Sequence, residues 1–526
     1  MKILALHSVG HDSGAAVVKD GRVVYSIETE RLTRRRYDHR VDLAIDAVVS
    51  QPEHPLNSFD WVVLTTPIGH PSVTVVDKPR VMERLRGRHV LHVETTCEIR
   101  GQRLPCIVVT HEVSHAMLAV HYSGYVENCL ILVNEGQGQF TQNALFTYHD
   151  GHLDWVDSDV LPWWGRGLGW TGMGVLFGMG NSPGVAGKLM ALSAYGQPDE
   201  VIRERLMEIP DKIVTDRSYA YDIATKLHDT HFADGFQRQA NIISTFQQLF
   251  TETVTSTVIE AMKRHRCGAL AMGGGCALNI VTNTTLRDTH GLTPSIAPAC
   301  NDSGHPLGAA AYAWHKLSGN NLLPFPVYIV GIEETPSQRR EALRAGNLTP
   351  LDYDEDIVVE VLAEGGVVAM NHGLAESGPR ALGHRSILAN PSIEGMKEKV
   401  SQRLKAREWY RPLAGLMTTE KFTEIFPESP DSPHMLFDYQ IPKSMMPEAQ
   451  HRDGTSRLQT LSQSSDPMLH SLLTKFSAYT GVPGLINTSL NSAGRAIAQT
   501  TDDMLTDFLR TEVDLFVSGN FMAWRK

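Results

Sequence analysis

The amino-acid sequence predicts an α/β protein of two domains, with a duplicated unit in its first half. Residues 2–27 contain strand-like runs around a polar glycine turn and an Asp20-Gly21 pair. Residues 129–156 repeat that order, with a glycine turn at 135–139 and an Asp150-Gly151 pair. An Asp-Gly pair between two apolar runs is typical of a two-residue hairpin. Because all pieces recur in the same order, the pattern indicates an internal repeat.

A third element of the first half joins a strand to glycines and a helix. Ala269–Met272 is strand-like, Gly273, Gly274 and Gly275 follow, and residues 276–279 open a predicted helix. This order directs backbone N–H donors and the positive helix end toward an anion or an adenosine. The element adds to the duplication, because two such halves facing each other, each with a polar turn between its first two strands, would form a cleft lined by backbone N–H groups. Actin-like and Hsp70-like phosphotransferases hold nucleotide phosphates in such a cleft. The glycine-rich stretch 165–187 lacks Gly-x-Gly-x-x-Gly spacing, and Gly187-Lys188 does not complete a P-loop.

Composition excludes several classes of protein. The 526 residues carry a formal charge of −11, from 48 Lys and Arg against 59 Asp and Glu. That balance disfavours a general nucleic-acid binder or a protein of anionic membranes. No apolar run is long enough for a membrane span, and residues 1–14 do not form a signal peptide. The six cysteines form no Cys-x-x-Cys pair, so we expect buried or partly buried thiols and a cytoplasmic protein.

The sequence pattern changes between residues 320 and 350, from a turn-rich stretch to a helical one. Residues 320–326 form a turn-rich stretch with two prolines, and a helical pattern follows around Pro336–Arg344. We therefore expect one domain over residues 1–325 and a second over residues 326–526.

Two histidines one helical turn apart indicate a metal site in the first domain. Ile107–Thr110 is strand-like, and residues 111–115 begin a predicted helix. His111 and His115 then lie on one helix face and can share an ion. The same residues match H-E-x-x-H, in which Glu112 would be the general base of a zinc peptidase. Two helix histidines without a metal are the third interpretation.

Two carboxylates are candidate oxygen ligands for the same ion. Asp302 precedes the small-residue run Gly308–Ala311, and Glu135 lies in the second glycine turn. An Asp before a helix is also a common N-cap, and a Glu in a turn commonly faces solvent. Imidazoles combined with carboxylates suit Fe2+, Mn2+ or Zn2+ better than Ca2+.

Basic residues gather in the second domain of this acidic protein. Guanidinium groups bind phosphate through two parallel hydrogen bonds, so the group predicts a pocket for small anions. The other interpretation is a solvated face paired with acids such as Glu376 and Glu408. The residues are Arg380, Arg385, Lys405, Arg407, Arg411 and Arg457.

With these residues the chain resembles the O-carbamoyltransferases of nodulation and antibiotic biosynthesis. The motifs of the first half that carry the resemblance are Gly10–Ser13, Glu28–Arg31, His111-x-x-x-His115, Gly187–Met190, Gly274–Asn279 and Asp302–Gly304. Those of the second half are Gly378–Ile387, Lys405–Pro412, Asp453–Gln459 and Asn487–Asn491. The resemblance implies an actin-like (ASKHA) duplicated ribonuclease-H-like N-terminal domain, similar to tRNA threonylcarbamoyl-transfer proteins. It also implies a YrdC-like α/β C-terminal domain that forms carbamoyl-adenylate.

The activity implied by the resemblance is ATP-dependent O-carbamoyl transfer in two steps. Carbamoyl phosphate and ATP, with Mg2+, would give carbamoyl-adenylate, pyrophosphate and phosphate in the C-terminal domain. The carbamoyl group would then pass to a hydroxyl of a small natural-product acceptor, in antibiotic or other secondary metabolism, with release of AMP. The six basic residues, Asn487 and Ser489 would hold the anions of the first step.

The resemblance also assigns roles in the N-terminal domain. A divalent metal, Fe2+ by analogy, would be held by His111, His115 and Asp302. His11 and Asp12 would be the catalytic residues, with His11 as the general base. The residues that would bind the nucleotide are Lys188, Gly273, Gly274, Gly275 and Asn279.

Glu135 marks a departure from the family pattern. The family usually has Asp-Gly-x-Gly-Glu where this chain has Glu135-Gly136-Gln137-Gly138-Gln139. Because Glu is one methylene longer, its carboxylate would bind the ion directly, shift it, or reach it through water. Glu135 is therefore a candidate fourth metal ligand.

Three further points stay open at the level of sequence. A zinc peptidase using Glu112 and a non-catalytic actin-like sensor of nucleotides or sugars are the alternative functions. Trp163, Trp164 and Trp170 are either walls of an acceptor pocket or ordinary core aromatics. The identity of the acceptor and the oligomeric state do not follow from the sequence.

Overall fold

The computed structural model describes residues 1–8, 11–66, 71–87, 89–211, 216–228 and 235–525. The strands in these ranges are β1 (Lys2–Ser8), β2 (Ser13–Lys19), β3 (Arg22–Glu28), β4 (Trp61–Thr65), β5 (Val73–Val75), β6 (His92–Ile99), β7 (Gln102–Val109), β8 (Cys129–Asn134), β9 (Asn143–His149), β10 (His152–Ser158), β11 (Ala269–Gly273), β12 (Ser295–Ile296), β13 (Tyr328–Val330), β14 (Leu351–Asp352), β15 (Val367–Asn371), β16 (Ala375–Glu376), β17 (Arg385–Ala389), β18 (Ala414–Thr418), β19 (Asp438–Gln440), β20 (Thr455–Leu461), β21 (Leu485–Ser489), β22 (Leu515–Ser518) and β23 (Phe521–Trp524).

Helices alternate with these strands along the chain. They are α1 (Thr29–Thr33), α2 (Val41–Val49), α3 (Lys78–Leu85), α4 (His111–Tyr122), α5 (Gly167–Leu176), α6 (Val185–Ser193), α7 (Glu200–Met207), α8 (Asp216–His228), α9 (Phe236–His265), α10 (Ile280–His290), α11 (His305–Ser318), α12 (Pro336–Ala345), α13 (Glu355–Ala363), α14 (Thr419–Ile425), α15 (Pro467–Thr480) and α16 (Thr501–Phe508). The predicted α/β class is therefore confirmed.

The chain divides into two compact units. Unit 1 consists of residues 1–9, 16–22 and 53–324, and unit 2 of residues 10–15, 23–52 and 325–526. Unit 2 thus combines the C-terminal part of the chain with two short N-terminal segments. The linear division into residues 1–325 and 326–526 stays a prediction about domains.

The internal repeat is visible in the strand order of unit 1. In the first copy the neighbours run β2-β1-β4-β7, and in the second they run β9-β8-β11-β12. The pairs β1–β4 and β4–β7 are parallel, as are β8–β11 and β11–β12. Both Asp-Gly pairs adopt positive φ at each residue, 49° and 80° for Asp20 and Gly21, and 49° and 73° for Asp150 and Gly151. This is the backbone that a type I′ hairpin turn requires.

The core of unit 1 consists of strands that helices cover. Residues Ile3–Leu6 of β1, Val62–Leu64 of β4 and all of β8 are buried. Parallel strands buried on both faces are continuous apolar runs rather than alternating ones. Helix α4 packs against α11 and against strands β8 and β11. The N-termini of these two helices provide the side chains of the candidate site.

Unit 2 is built on a second large sheet. Its strand order is β14-β23-β22-β15-β17-β21-β18-β20-β19. Helices α13 and α15 cover it through a cluster of buried apolar residues that includes Leu388, Leu416 and Phe476. The N-terminal segment joins this unit through β3, which pairs in parallel with β13.

Several sequence expectations concern burial. All six cysteines are free, with Cys97, Cys106, Cys129 and Cys300 buried and Cys267 and Cys276 partly exposed, as expected. None of the helices in the described ranges combines the length and apolarity that a bilayer crossing requires.

Trp163 and Trp170 are buried against Phe246, at ring-centroid distances of 5.9 and 5.1 Å. Their packing fits the interpretation as core aromatics rather than acceptor walls.

Candidate functional site

The histidine pair lies at a strand-to-helix junction. Strand β7 ends at Val109, and the Thr110 side chain accepts a hydrogen bond from the backbone N–H of Val113, which caps helix α4. His111 and His115 follow one turn apart, with ring centroids 4.8 Å apart and both side chains buried. The predicted strand, helix start and shared helix face are confirmed.

Asp302 faces these two imidazoles. Its Oδ1 lies 3.7 Å from His111 Nε2 and 3.4 Å from His115 Nε2. The residue sits in a short 3-10 turn before α11, and Gly304, not Asp302, occupies the N-cap position of that helix. Of the two sequence interpretations of Asp302, the structure therefore favours the one as a ligand over the one as an N-cap.

His305 is a further member of the cluster, and the sequence analysis missed it. It begins α11 three residues after Asp302, and its Nε2 lies 3.5 Å from Asp302 Oδ1. Its ring centroid is 4.1 Å from those of both His111 and His115. His7 of β1 packs against its other side, at a centroid distance of 4.2 Å. The spacing Asp-x-x-His at a helix start was the available signal.

Glu135 reaches the same place from the glycine turn after β8. Its carboxylate is buried, and Oε1 lies 3.0 Å from His115 Nε2. The same oxygen accepts a hydrogen bond from the backbone N–H of Gly275, at 2.5 Å. The longer side chain therefore connects the imidazole group to the glycine loop after β11.

We name His111, His115, Asp302 and His305 the imidazole–carboxylate cluster. Their ligand atoms lie within 4.8 Å of one another, and all four residues are buried. At 3.4–3.7 Å the three Nε2 atoms are too far from Asp302 Oδ1 for ordinary hydrogen bonds. These separations are close to the edge of about 3.3 Å that a tetrahedral site with bonds of about 2.0–2.1 Å would have. The residues therefore fit a divalent metal ion.

The charges of the cluster are mutually dependent. Burial disfavours protonated His115, but the adjacent carboxylates of Asp302 and Glu135 outweigh it and raise its pKa to about 9. Burial, together with His115 and His111, lowers the pKa of His305 well below its ordinary value. Burial would raise the pKa of Asp302, yet the neighbouring imidazoles lower it well below its usual range. Without an ion, His115 is therefore protonated at neutral pH, and a metal bound at this imidazole would displace its proton.

The Glu112 side chain binds backbone N–H groups of the glycine turn after β8. Its Oε1 accepts hydrogen bonds from the backbone N–H groups of Phe140 and Thr141, at 3.1 and 3.4 Å. A Cβ added to Gly138 would come within 2.5 Å of the same oxygen. Glu112 thus holds the glycine turn, and these contacts argue against its role as a peptidase base.

The glycine loop after β11 has the predicted order, with the helix starting slightly later. Residues Gly275–Leu278 form a 3-10 turn, and α10 begins at Ile280 with Asn279 as its N-cap. Asn279 Oδ1 accepts from the backbone of Thr282, and its Nδ2 donates to Gln247 Oε1 at 3.1 Å. These bonds occupy the amide that the sequence assigns to the nucleotide, and that role stays a prediction.

The remaining N-terminal candidates are Lys188, His11 and Asp12. Lys188 is partly exposed on α6. His11 Nδ1 lies 3.3 Å from Asp12 Oδ2, and both residues belong to unit 2. Asp12 is buried with a φ of 61°, whereas the His11 side chain is 41% exposed. Gly10, which precedes this pair, lies outside the described residues.

Most of the predicted basic residues of unit 2 form one electrostatic group, which we name the basic cluster. Burial lowers the pKa of Lys405 well below its ordinary value, and the nearby charges of Arg407 and Arg36 add to the effect. Burial and then Arg380 lower the pKa of Arg457, and burial with Arg411 lowers that of Arg407. The members are Arg36, Arg380, Lys405, Arg407, Arg411 and Arg457.

Carboxylates compensate this positive charge only in part. Glu408 raises the pKa of Arg411 against the effect of burial, Asp438 does so for Arg457, and Asp507 for Lys405. Arg36 was missed by the sequence analysis, although it ends the conspicuous run Arg34–Arg36. Neighbouring cations that repel one another are stabilised by a bound anion, so the basic cluster is a candidate anion site.

Arg385 differs from the cluster members. It is 1% exposed and donates to the carbonyl oxygens of Gln499, His372, His384 and Gly373 at 2.8–3.1 Å. With most of its N–H groups bonded to backbone, Arg385 supports the fold around β17. Its predicted contact with an anion is not favoured by this arrangement.

The polar residues of β21 lie beside Lys405. The Lys405 ammonium donates to the carbonyl and hydroxyl of Ser489 and to Asn491 Oδ1, the last at 2.7 Å. Asn487 Nδ2 donates to Gln459 Oε1 at 2.8 Å and to the Ala381 carbonyl at 3.2 Å. Lys405 and Ser489 are thus brought together as predicted, with Asn491 as an additional partner.

Comparison with known proteins defines the class of this chain. The family model of the carbamoyltransferase N-terminus matches residues 2–67 and 81–311, and that of the carbamoyltransferase C-terminus matches residues 359–525. The chain belongs to the carbamoyltransferase family and is a transferase enzyme, as the sequence resemblance predicts.

Individual relatives narrow the comparison. The chain is 30% identical to nodulation protein U of Rhizobium tropici, over 92% of its own length and 90% of the relative. It is 29% identical to the 3'-hydroxymethylcephem-O-carbamoyltransferase of Streptomyces clavuligerus, over 97% of both chains. A solved structure, component A of (R)-2-hydroxyglutaryl-CoA dehydratase from Acidaminococcus fermentans, matches 60% of this chain and 98% of its own, with 14% identity and a TM-score of 0.35. A TM-score of 0.35 is too low to identify the fold.

Proposed function

We propose that this protein is an ATP-dependent O-carbamoyltransferase acting on a hydroxyl of a small natural product. The observation that carries the proposal is the basic cluster, in which the positive charges of buried Lys405 and of the arginines around it lower one another's pKa and are only partly balanced by carboxylates. A phosphate-bearing substrate would supply the missing negative charge. Membership in the carbamoyltransferase family and the O-carbamoyltransferase relative support this choice of chemistry.

The first step would form carbamoyl-adenylate in unit 2. Water would release phosphate from carbamoyl phosphate, and the resulting carbamate oxygen would attack the α-phosphorus of ATP, with pyrophosphate as the leaving group. Arg407 and Arg457 would hold the transferring phosphates, with Lys405 as an adjacent positive charge, because charge develops there in the transition state. A YrdC-like fold for the C-terminal domain, Mg2+ bound with ATP, and carbamoyl phosphate as the donor are parts of this proposal.

The second step would transfer the carbamoyl group to the acceptor. The acceptor oxygen would form a bond to the carbamoyl carbon, the bond to the AMP phosphate oxygen would break, and His11 would take the hydroxyl proton. Asp12, 3.3 Å from His11 Nδ1, would orient the imidazole. The nucleotide would lie along the actin-like glycine loop, with Lys188 as a further contact.

The imidazole–carboxylate cluster would hold a divalent ion, Fe2+ by family analogy and Mn2+ or Zn2+ by ligand type. His111, His115, His305 and Asp302 would be its ligands, with Glu135 adjacent. When bound, the ion would supply positive charge that stabilises the phosphate of departing AMP.

The proposal is tested with the purified protein, ATP, carbamoyl phosphate and a panel of hydroxylated natural products. We expect pyrophosphate release that requires carbamoyl phosphate, and a carbamoylated product with at least one acceptor. Arg407→Ala should lower pyrophosphate release by roughly 100-fold or more. Arg403→Ala, a side chain that is 65% exposed and paired with Glu398, is the matched control. Unchanged release in Arg407→Ala would reject the basic cluster as the site of the first step.

The division of labour is tested with His11→Asn. This variant should release pyrophosphate at the normal rate and form no carbamoylated acceptor, because only the second step needs the base. Loss of pyrophosphate release in the same variant would assign His11 to the first step and contradict the proposal.

A further inference from the structure

A second group of two imidazoles and one carboxylate lies in unit 2, and none of its members has a role in the proposed reaction. It consists of His372, His384 and Asp466, whose ligand atoms lie within 4.8 Å of one another. Asp466 is 1% exposed and His384 is buried, whereas the His372 side chain is 27% exposed. The group is therefore closed on one side and reachable from solvent on the other.

The backbone fixes the two histidines as neighbours. Strands β15 and β17 are antiparallel with Asn371 opposite Arg385, and the N–H of His372 donates to the His384 carbonyl at 3.1 Å. Residues opposite each other in such a ladder place their side chains on the same face. The two ring centroids lie 4.9 Å apart. This juxtaposition is thus set by the register of the sheet.

Asp466 completes the group from the start of α15. Its Oδ1 lies 3.3 Å from His372 Nε2, and its Oδ2 lies 3.0 Å from His384 Nε2. Oδ1 also caps α15 by accepting from the backbone N–H of Leu469 at 3.1 Å. Bonds of about 2.0–2.2 Å to one tetrahedral ion would separate neighbouring ligand atoms by about 3.3–3.6 Å. The 3.3 Å separation at His372 lies at the lower end of that range, and the 3.0 Å separation at His384 is slightly shorter.

His384 has the surroundings of a metal ligand. Its Nδ1 lies 2.6 Å from the Leu374 carbonyl, which requires the proton to be on Nδ1 when the ring is neutral. The lone pair of Nε2 then points at Asp466. A metal-bound histidine characteristically donates its other N–H to a backbone carbonyl or carboxylate in this way. Tyr328 stacks on the ring at 3.5 Å and fixes its plane.

We propose that His372, His384 and Asp466 bind a divalent transition-metal ion of the Zn2+ class. Two imidazoles and one carboxylate are a ligand set of three, which leaves a position for water on the exposed side of His372. The competing explanation is a proton in place of the ion, with His384 as an imidazolium paired to Asp466. The two explanations differ in whether Zn2+ alone binds here.

The experiment titrates Zn2+ into the full-length protein after removal of metals with a chelator, and measures stoichiometry and affinity by calorimetry. If the imidazole–carboxylate cluster also binds, the wild type takes two ions per chain. Asp466→Asn should remove one of them, with a loss of affinity of at least about 100-fold. Asn remains a good N-cap, so this change preserves the start of α15. Asp302→Asn should remove the other ion and keep this one.

A second variant and a location measurement protect the test against misfolding. His372→Ala changes a partly exposed side chain and should lower zinc affinity as much as Asp466→Asn does. His470→Ala, on the helix α15 that Asp466 caps, should leave zinc affinity unchanged. Anomalous diffraction at the zinc edge should place a peak between His372, His384 and Asp466. Wild-type zinc binding in both Asp466→Asn and His372→Ala, or the absence of that peak, would overturn the proposal in favour of the proton. Neither outcome depends on carbamoyl transfer.

Discussion

Asp302 Oδ1 has three imidazole nitrogens around it, and one of them belongs to His305. The sequence pattern predicts two histidines and two carboxylates, whereas the geometry gives three histidines and one carboxylate, with Glu135 adjacent to His115. A set with more nitrogen favours borderline ions such as Zn2+ and Fe2+ over hard, oxygen-preferring ones. The identity of the proposed ion would therefore depend on His305.

His305→Ala tests this contribution. Loss of a residue that only hydrogen-bonds to a metal ligand lowers metal affinity by about 10- to 100-fold. The change removes one of the four ligands themselves, so we expect the affinity for Zn2+ or Fe2+ to fall at least that far. Metal content after dialysis against a weak chelator measures the effect. His315→Ala on the same helix, where the side chain is 3.1 Å from Asn321 Oδ1, is the control. Equal metal content in the two variants would exclude His305 from the ligand set.

The lowered pKa of Lys405 predicts that the affinity for pyrophosphate depends on pH. Burial and then Arg407 and Arg36 lower its pKa well below its ordinary value of 10.5, so the anion-free protein loses this proton earlier than free lysine does. A bound phosphate favours the charged form of Lys405 and of Arg407 and Arg457, whose pKa values are lowered as well. Binding of pyrophosphate should therefore take up a proton, and its affinity should fall as the pH rises toward 10.5. Calorimetry in buffers of different ionisation enthalpy measures the uptake, and a pH-independent affinity would contradict it.

At the level of elements, the loop between β11 and α10 is held by close backbone contacts. Gly274 has a φ of 88°, and a Cβ there would lie 2.3 Å from the Asn134 carbonyl oxygen. A Cβ at Gly273 would lie 3.0 Å from the His115 carbonyl oxygen. These glycines therefore let the loop approach β8 and α4, the elements that carry Glu135 and the histidine pair.

Gly274→Ala should be costly for this reason. Both the positive φ and the overlap with Asn134 disfavour alanine, and we expect a loss of about 1–3 kcal/mol in the free energy of unfolding. Urea denaturation measures the loss. Gly268→Ala, just before β11 and with no atom within 4 Å of its added Cβ, is the matched control and should change stability little. A similar stability of the two variants would show that the loop relaxes freely.

At the level of the whole molecule, unit 2 depends on residues from the beginning of the chain. Arg31 is fully buried, and it pairs with Glu28 and donates to the carbonyls of Glu376 and Gly378 at 3.0 and 2.7 Å. Arg34 pairs with Asp507 in the same unit. A chain cut at the linear boundary would remove Arg31 from these carbonyls and Arg34 from Asp507, which would keep only Arg495 and Ser492.

A fragment of residues 326–526 should therefore fail to fold by itself. Removing one partner of a buried ion pair alone costs about 3–5 kcal/mol, and the fragment also loses the pairing of β3 with β13. We expect no cooperative thermal transition by circular dichroism. A chain that joins residues 23–52 to residues 325–526 through a Gly/Ser linker should restore one. A cooperative transition in the short fragment would show that the N-terminal segment is dispensable.

Local chemistry made much of the fold predictable. The two Asp-Gly turns, the strand before Thr110 and the helix start at His111 depend on neighbours in sequence, and all appear as predicted. The free thiols, buried or partly buried, follow from the spacing of the cysteines. The discontinuous units do not follow in this way, because no local pattern reveals that residues 23–52 pack with the C-terminal part.

The sequence by itself determined that His111 and His115 share a helix face, because an α-helix fixes residues four apart on one side. It also determined the family, because the motifs are long and span both halves. Only the tertiary structure decided that His305 joins the cluster, that Glu112 holds a turn, and that Arg385 serves the fold while Arg407 lies among other cations. These roles depend on burial and on distances between residues far apart in the chain, which packing alone sets.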